Sequence, residues 1–337
     1  VLTPSECLGL FGVMRALKAD GRVVLFVTHK LQEVMSVSDR VTVMRDGRVT
    51  ERLETAQTSP AAITRAMTGR DLLPSVRSGS HTLGPVLLAV QDLTVEGTGR
   101  SLLVDHASFE LCGGEILGVA GVAGNGQAEL VEAICGLRPG GGSVKLMGRD
   151  LSRAGVAERR AAGLSYIPED RARTGTALAA SVSDNLVYGR HHLPPFSRGG
   201  WLRPPQLRAH ARELISRYAI KVTGESTPAA SLSGGNLQKV VIARELEARS
   251  PVLIAEQPTR GVDIGATQFI HRQLLGERER GAAVLLVSAE LSELLALCDR
   301  ILVMFENRIV AEVAASNATE QQLGSWMAGL SPDQAAS

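Results

Sequence analysis

Three short stretches carry residue types that can act on phosphate. The octamer Leu232-Ser233-Gly234-Gly235-Asn236-Leu237-Gln238-Lys239 opens a helical pattern with a serine and two glycines. These present a hydroxyl and backbone N–H groups at the positive end of a helix. Gly121-Val122-Ala123-Gly124-Asn125-Gly126-Gln127-Ala128 follows an apolar run and leads into a helical stretch from Glu129. Strand, glycine loop, helix is the context a phosphate loop requires. Against the pattern GxxxxGK[ST] both glycines fit, but Gln127 stands at the lysine and Ala128 at the Ser/Thr. Neither supplies the charge that faces the β and γ phosphates or the hydroxyl that faces Mg²⁺. The third stretch is the apolar run 251–255, which ends in Glu256-Gln257-Pro258-Thr259-Arg260-Gly261-Val262-Asp263. Glycine-serine caps and tight strand-helix turns also occur without any phosphate, so no single stretch decides the chemistry.

The elements that position these residues are repeated. Setting residues 24–48 against 284–308, an offset of 260, gives ten identities in 25 positions. Each copy reads as a buried strand (23–27 and 283–287), a short amphipathic helix, and a strand that opens Asp-Arg-Val or Asp-Arg-Ile. Thr3-Pro4-Ser5-Glu6 has capping-box spacing with proline at the first helical position. Gly21 is expected to stop that helix, and Gly281 its counterpart. At the end of the repeated strand, His29 in the first copy corresponds to Ala289 in the second. A lone histidine is ordinarily a surface residue; its place in the duplicated unit points instead to a γ-phosphate and its attacking water.

Composition sets the bounds. The 337 residues are 44% hydrophobic and 21% charged, with a net charge of +1. No long Lys/Arg run gives reason to expect nucleic acid. Cys7, Cys112, Cys135 and Cys298 have no CxxC or metal-like spacing and read as reduced thiols of a cytosolic compartment. No apolar run reaches the roughly 18 residues of a membrane span, and no signal peptide opens the chain. Val1 is not methionine, so the chain reads as truncated at its start.

The landmarks together resemble the ATP-binding subunits of ABC transporters, over nearly the whole chain. In that family's order, Gly121 to Ala128 is similar to Walker A, Glu169 sits at the Q-loop position, and Leu232 to Asn236 matches the LSGGQ signature. Glu256-Gln257 falls on Walker B and the catalytic glutamate, Asp263 on the D-loop, and Ala289 on the switch histidine. The resemblance implies an α/β P-loop NTPase fold with a mostly parallel core sheet, an antiparallel β subdomain and a helical insertion over about 171–218, preceded by a partial copy of the same fold. Residues 1–70 are then the C-terminal remnant of a first ATPase domain, 71–85 a linker, 86–330 a second, degenerate domain, and 331–337 a tail.

Ile167-Pro168-Glu169-Asp170-Arg171, Pro258-Thr259-Arg260-Gly261 and the LSGGN form resemble the tandem ATPases of simple-sugar and nucleoside importers. The segment from Asn185 to Gly200 is most similar to the nucleoside branch. In this family two ATPase domains pack head to tail. Ser233, Gly234, Gly235 and Asn236 are thus expected to serve the first copy's ATP, which His29 also faces. Gly121, Gly124, Asn125, Gly126, Gln127, Ala128, Glu169, Asp263 and Ala289 belong to nucleotide contacts. Gln257 occupies the general-base position without a base, and Glu256 is the candidate Mg²⁺ ligand. Losing a general base costs about 10²–10⁴ in rate. Thr98 to Ser101 offers no aromatic ring to adenine, so weak adenine affinity is expected.

The resemblance implies ATP and Mg²⁺ as cofactors, two membrane-spanning permease subunits and an extracytoplasmic solute-binding lipoprotein as partners, and a peripheral place on the cytoplasmic membrane face. It implies ATP hydrolysis in the intact transporter and none in this chain alone. The first copy's Walker A, Q-loop, signature and Walker B are expected upstream of Val1. Rival readings are a non-catalytic regulatory module that binds nucleotide, and a soluble ABC protein.

Overall fold

The computed structural model describes residues 4–28, 31–45, 47–68, 82–99 and 101–330. Residues 1–74 with 263–267 group as one compact unit, and 75–262 with 268–337 as another. The expected linker 71–85 falls largely outside the described residues, as do the tail from 331 and His29.

The first unit holds α1 (Pro4–Ala19), α2 (Leu31–Val37), the antiparallel pair β1 (Arg40–Arg45) and β2 (Arg48–Glu54), and α3 (Pro60–Thr68). Its core is small: Val34, Val43, Ile63 and Ala66 are buried together. Gly21 ends the first helix in the left-handed region at φ 77°, where a β-carbon would be strained. The strand expected over residues 23–27 does not form. Val23, Leu25 and Val27 are 95%, 91% and 96% exposed. An all-apolar strand of this kind is stable only between two others, and no described strand lies beside it to accept its backbone groups.

The second unit is built on two sheets. β3 (Val86–Glu96), β4 (Leu102–Cys112), β6 (Gly141–Leu146) and β7 (Arg149–Asp150) form an antiparallel sheet in the order β4-β3-β6-β7. The larger sheet runs β14-β13-β5-β12-β11-β8, from β5 (Ile116–Ala120), β8 (Leu164–Ile167), β11 (Val252–Glu256), β12 (Ala283–Val287), β13 (Arg300–Phe305) and β14 (Arg308–Ala314). Its pairings are parallel except β13 with β14. Every residue of β5, β11 and β12 is buried, as continuous apolar runs in a covered parallel sheet should be. Leu117, Val119, Leu130, Ile134, Ile254, Leu285 and Val287 meet in its core.

Helices join these strands. α4 (Gln127–Cys135) follows β5, α5 (Val156–Ala161) precedes β8, and α6 (Val182–Val187) and α7 (Pro204–Arg217) make up the insertion, with the short pair β9 (Ser197–Arg198) and β10 (Trp201–Leu202) between them. α8 (Gly234–Glu247) leads to β11, α9 (Ile264–Glu279) to β12, α10 (Leu291–Leu297) to β13, and α11 (Glu320–Met327) closes the described chain. Val187, Phe196 and Leu207 give the insertion its own small core, while Trp201 at its tip is exposed. No described helix is long and apolar enough to cross a membrane.

One buried cation fixes the far end of α4. Arg159 donates from Nη1 to the carbonyls of Ala133 (2.7 Å) and Ile134 (2.6 Å), from Nε to Ala154 (2.9 Å) and from Nη2 to Ser152 (3.1 Å). It thereby satisfies the last carbonyls of the helix and places a positive charge at its negative pole. Arg159→Ala is expected to cost about 2–4 kcal/mol, because it takes the guanidinium donors from four carbonyls, of which that of Ala133 keeps the Gly136 N–H. Urea unfolding checks this; a loss within error of zero would show that water replaces the guanidinium.

Candidate functional site

Parallel strands deliver their C-terminal ends to one edge of a sheet, and ligands bind there. Here β5, β12 and β11 are consecutive neighbours, so the loops after Ala120, Val287 and Glu256 come out side by side. The loop after β5 turns on two glycines in the left-handed region, Gly124 (φ 93°) and Gly126 (φ 91°). A β-carbon at Gly126 would run into the Leu103 carbonyl, so only glycine fits. Asn125 braces the turn, donating from Nδ2 to the Val122 carbonyl (3.0 Å) and accepting the Glu306 N–H at Oδ1 (2.8 Å). The first α4 bond shown runs from Leu130 N–H to the Gly126 carbonyl (2.9 Å), so the N–H groups of Gln127, Ala128 and Glu129 open the helix without helical partners. This is a helix terminus suited to an anion.

Gln127 is 8% exposed and lies back over Gly121, its Nε2 donating to the Val122 carbonyl at 3.2 Å. An amide nitrogen has two hydrogens, and one remains for a phosphate oxygen. The donors at this helix start are thus neutral.

The end of β11 is closed on itself. Glu256 is 5% exposed, and its Oε2 accepts the Tyr166 hydroxyl at 2.6 Å. Burial, reinforced by Glu132 and Glu129, raises the Glu256 carboxyl above the usual range, against the Tyr166 bond that favours the charged form. Burial likewise raises the Tyr166 phenol, with the Glu256 charge adding to it. Gln257 sits at φ 45°, donates its N–H to the Val287 carbonyl (2.8 Å) and accepts the Ala289 N–H on its side-chain oxygen (3.1 Å). Beyond Ala289, Glu293 is held between Ser288 Oγ (2.6 Å) and His271 Nε2 (2.8 Å).

A separate face carries Ser233. It is exposed at the N-terminus of α8 and makes no capping bond to its own helix; its Oγ accepts the Asn236 side-chain amide at 2.9 Å, and Asn236 Oδ1 accepts the Lys221 N–H at 2.8 Å. Arg171 fits against Gly234 and donates to the carbonyls of Arg260 (2.6 Å) and Gly261 (3.2 Å). A β-carbon at Gly234 would stand 2.7 Å from that guanidinium.

Residues 104–260 match the family model described as ABC transporter. The chain is 38% identical over 330 residues to the nucleoside import ATP-binding protein NupA of Lactococcus lactis subsp. cremoris, covering 98% of this chain and 65% of that protein. It is 39% identical over 336 residues to the guanosine import ATP-binding protein NupO of Bacillus subtilis, covering 99% and 66%. The chain therefore spans about two thirds of the length of these relatives. Among solved structures, an ATP-binding subunit of an ABC transporter superposes with a TM-score of 0.60 at 20% identity, covering 72% of this chain and 99% of that one. A nucleotide-free ATP-binding cassette gives 0.60 at 20% identity, covering 74% and 97%. This chain belongs to the ABC transporter ATP-binding family.

Within that family's layout, the structure brings Gly121, Gly124, Asn125, Gly126, Gln127 and Ala128 into one loop at the sheet edge where Glu256, Gln257 and Ala289 also emerge. Glu169 lies in an ion pair with Arg260. Asp263 accepts the Ala266 N–H at 2.8 Å and so caps α9. His29 lies outside the described residues. Ser233, Gly234, Gly235 and Asn236 form the separate helix start described above. The N–H donors that open α4 suit an anion; of the residues expected at Mg²⁺, Ala128 has no hydroxyl and Glu256 gives one of its two oxygens to Tyr166.

Tyr166 escaped the sequence reading. The signal was available in the strand period: Tyr166 pairs with Ile254 in the register of β8 and β11, and Glu256 is two residues further on the same face. Arg171 stood inside a motif, but nothing in its spacing announced its bonds to the 260–261 carbonyls.

A carboxyl held above its ordinary value is stabilising while protonated, and that contribution is lost as pH rises through its folded value. Glu256→Gln keeps an acceptor for Tyr166 without the charge. It is expected to raise Tm at about pH 8 and to leave it nearly unchanged at about pH 4. Thermal unfolding across that range checks this; an equal shift at both ends would place the effect in packing.

Proposed function

We propose that this chain is the C-terminal part of an energy-coupling ATPase of an ABC importer for nucleosides or simple sugars, peripheral on the cytoplasmic membrane face. Its partners are two membrane-spanning permease subunits and an extracytoplasmic solute-binding lipoprotein. The names of the relatives, which import nucleoside and guanosine, support the nucleoside branch. Residues 1–70 are read as part of a first ATPase domain, because its elements repeat those of the second unit at an offset of 260. Pro4 with Ile264, Leu31 with Leu291, Arg40 with Arg300 and Arg48 with Arg308 begin matching helices and strands. Even the bulge recurs, between Val43 and Met44 and between Val303 and Met304.

The single observation that carries the division of labour is the contrast between the two phosphate-directed features. The signature start carries an exposed Ser233 and keeps both of its glycines. The second unit's own loop has an amide for its lysine, a methyl for its hydroxyl, and a Gln257 that cannot accept a proton and is already bonded to Ala289 N–H. The signature therefore serves an ATP held by a phosphate loop from outside these residues, with His29 at the same nucleotide and Mg²⁺ accompanying it there. The second unit's site binds nucleotide without turning it over. Hydrolysis belongs to the first site and runs by positioning and charge stabilisation of phosphoryl transfer to water.

The purified chain is expected to show no steady-state ATPase activity in a coupled phosphate-release assay. Turnover that Ser233→Arg abolishes would overturn the division. Gln127→Lys restores a charge opposite the phosphates and is expected to tighten ATP binding about tenfold while turnover stays absent, since Gln257 is still no base. Isothermal titration beside the same assay checks both halves.

A further inference from the structure

Between Asp184 and Glu213 the chain holds five arginines and three histidines and no acidic residue. In a protein whose net charge is +1, that is a local concentration of positive charge. Two of the arginines are engaged: Arg190 donates to the Glu247 carbonyl at 3.0 Å, and Arg212 pairs with Glu225 at 2.6 Å. Arg198 and Arg203, exposed at the tip of the insertion, make no ion pair among the described residues. The tip is the β9–β10 hairpin, turned by Gly199 (φ 58°) and Gly200 (φ 84°). Trp201 lies directly across from Arg198, so the ring and the guanidinium rise from one face of the pair. Trp201 is 82% exposed and Leu202 53%. Leu193, whose carbonyl accepts the Ser197 N–H at 3.1 Å, is exposed as well. Arg198 and Leu202 also line, with His191 and His192, a surface hollow of about 530 Å³.

We propose that this tip docks on an anionic phospholipid surface, with Trp201 and Leu202 entering the headgroup layer while Arg198 and Arg203 meet lipid phosphates. Tryptophan settles at that depth because its ring is apolar and its N–H is a hydrogen-bond donor. Arginines beside it are drawn by the negative surface potential and pair with phosphate through two N–H groups at once. A soluble protein partner fits less well: a specific interface buries about 800 Å² on each side, and a hairpin of two-residue strands offers far less. A direct lipid contact adds to the permease-mediated attachment proposed above, and neither requires the other. Docking at this tip is also independent of whether residues 121–128 bind nucleotide.

The test mixes the 337-residue chain with vesicles of phosphatidylcholine alone, or of phosphatidylcholine with phosphatidylglycerol. The salt is about 0.15 M, where long-range attraction is screened. Sedimentation reads binding, and tryptophan emission reads insertion. The second tryptophan, Trp326, is 5% exposed, so a blue shift reports Trp201. Binding with a blue shift is expected on the anionic vesicles alone. Arg198→Gln combined with Arg203→Gln is expected to weaken binding on the order of twentyfold, about fivefold per charge, and lysine at both positions to retain it. Trp201→Phe is expected to bind and lose the shift. All three positions are exposed, so these variants leave the core intact. Equal binding to the neutral vesicles would assign the contact to apolar surface such as the exposed run 23–27, and would overturn the proposal. Absence of binding to either vesicle, or a shift that persists in Trp201→Phe, would overturn it too. A shift produced by soluble polyglutamate and not by vesicles would replace the lipid with an acidic protein segment.

Discussion

Burial of β5, β12 and β11 as three adjacent parallel strands is the constraint on which the second unit depends. Each strand is buried along its whole length and apolar but for Glu256 at the end of β11, so each must have a neighbour on both sides and cover above and below. That requirement fixes the strand order, and the order fixes which loops meet. The glycine turn after Ala120, the Glu256-Gln257 end of β11 and the Ser288-Ala289 end of β12 are separated by up to 168 residues in sequence, yet their strands are hydrogen-bonded in register. Chemistry at this edge is therefore a property of strand order first and of side chains second.

The side chains at that edge are largely neutral hydrogen-bonding groups. Gln127 still donates into the loop, Gln257 still reaches the strand end beside it, and Glu256 still lies at the end of β11. On the proposed reading, Gln127 and Gln257 stand where the family motif has charged groups. Neutral donors suffice to hold an anion at a helix terminus, but they do not lower the barrier to its transfer, which depends on stabilising charge that develops only in the transition state. On the proposed reading, such a site holds nucleotide and does not accelerate its transfer.

Much of this layout was legible in the residues. The apolar runs at 116–120, 251–255 and 283–287 became strands, the second one residue later at Val252–Glu256, and Gly21 and Gly281 ended helices at φ 77° and 87°. The loop glycines were placed correctly because no other residue adopts their backbone angles cheaply. The run at 23–27 has the same composition as β12 and is no strand. A strand's stability lies in partners that may be remote in sequence, and composition reports only its readiness to pair. The antiparallel sheet came from the family resemblance, since alternation alone in β3 and β4 is broken by their irregular register. Tyr166 was hidden for a related reason: its partner is 90 residues away, and only the register of β8 against β11 joins them.

The duplicated segment shows how deep the repetition goes within each unit. Thr28 donates to Glu33 at 2.7 Å in the first, and Ser288 donates to Glu293 at 2.6 Å in the second. The Thr55 N–H bonds the Asp39 carbonyl, and the Ala315 N–H bonds the Asp299 carbonyl, both at 2.9 Å. Contacts that hold a turn together survived in both copies. The residue between them did not: histidine at 29 faces alanine at 289. Since the Ser288–Glu293 bond shapes the turn beside Ala289, a histidine there is not needed for that local structure. A position that folding does not need can vary without unfolding the domain, so its identity tracks chemistry alone. Under the proposed division of labour, His29 belongs to the copy that hydrolyses and Ala289 to the copy that holds.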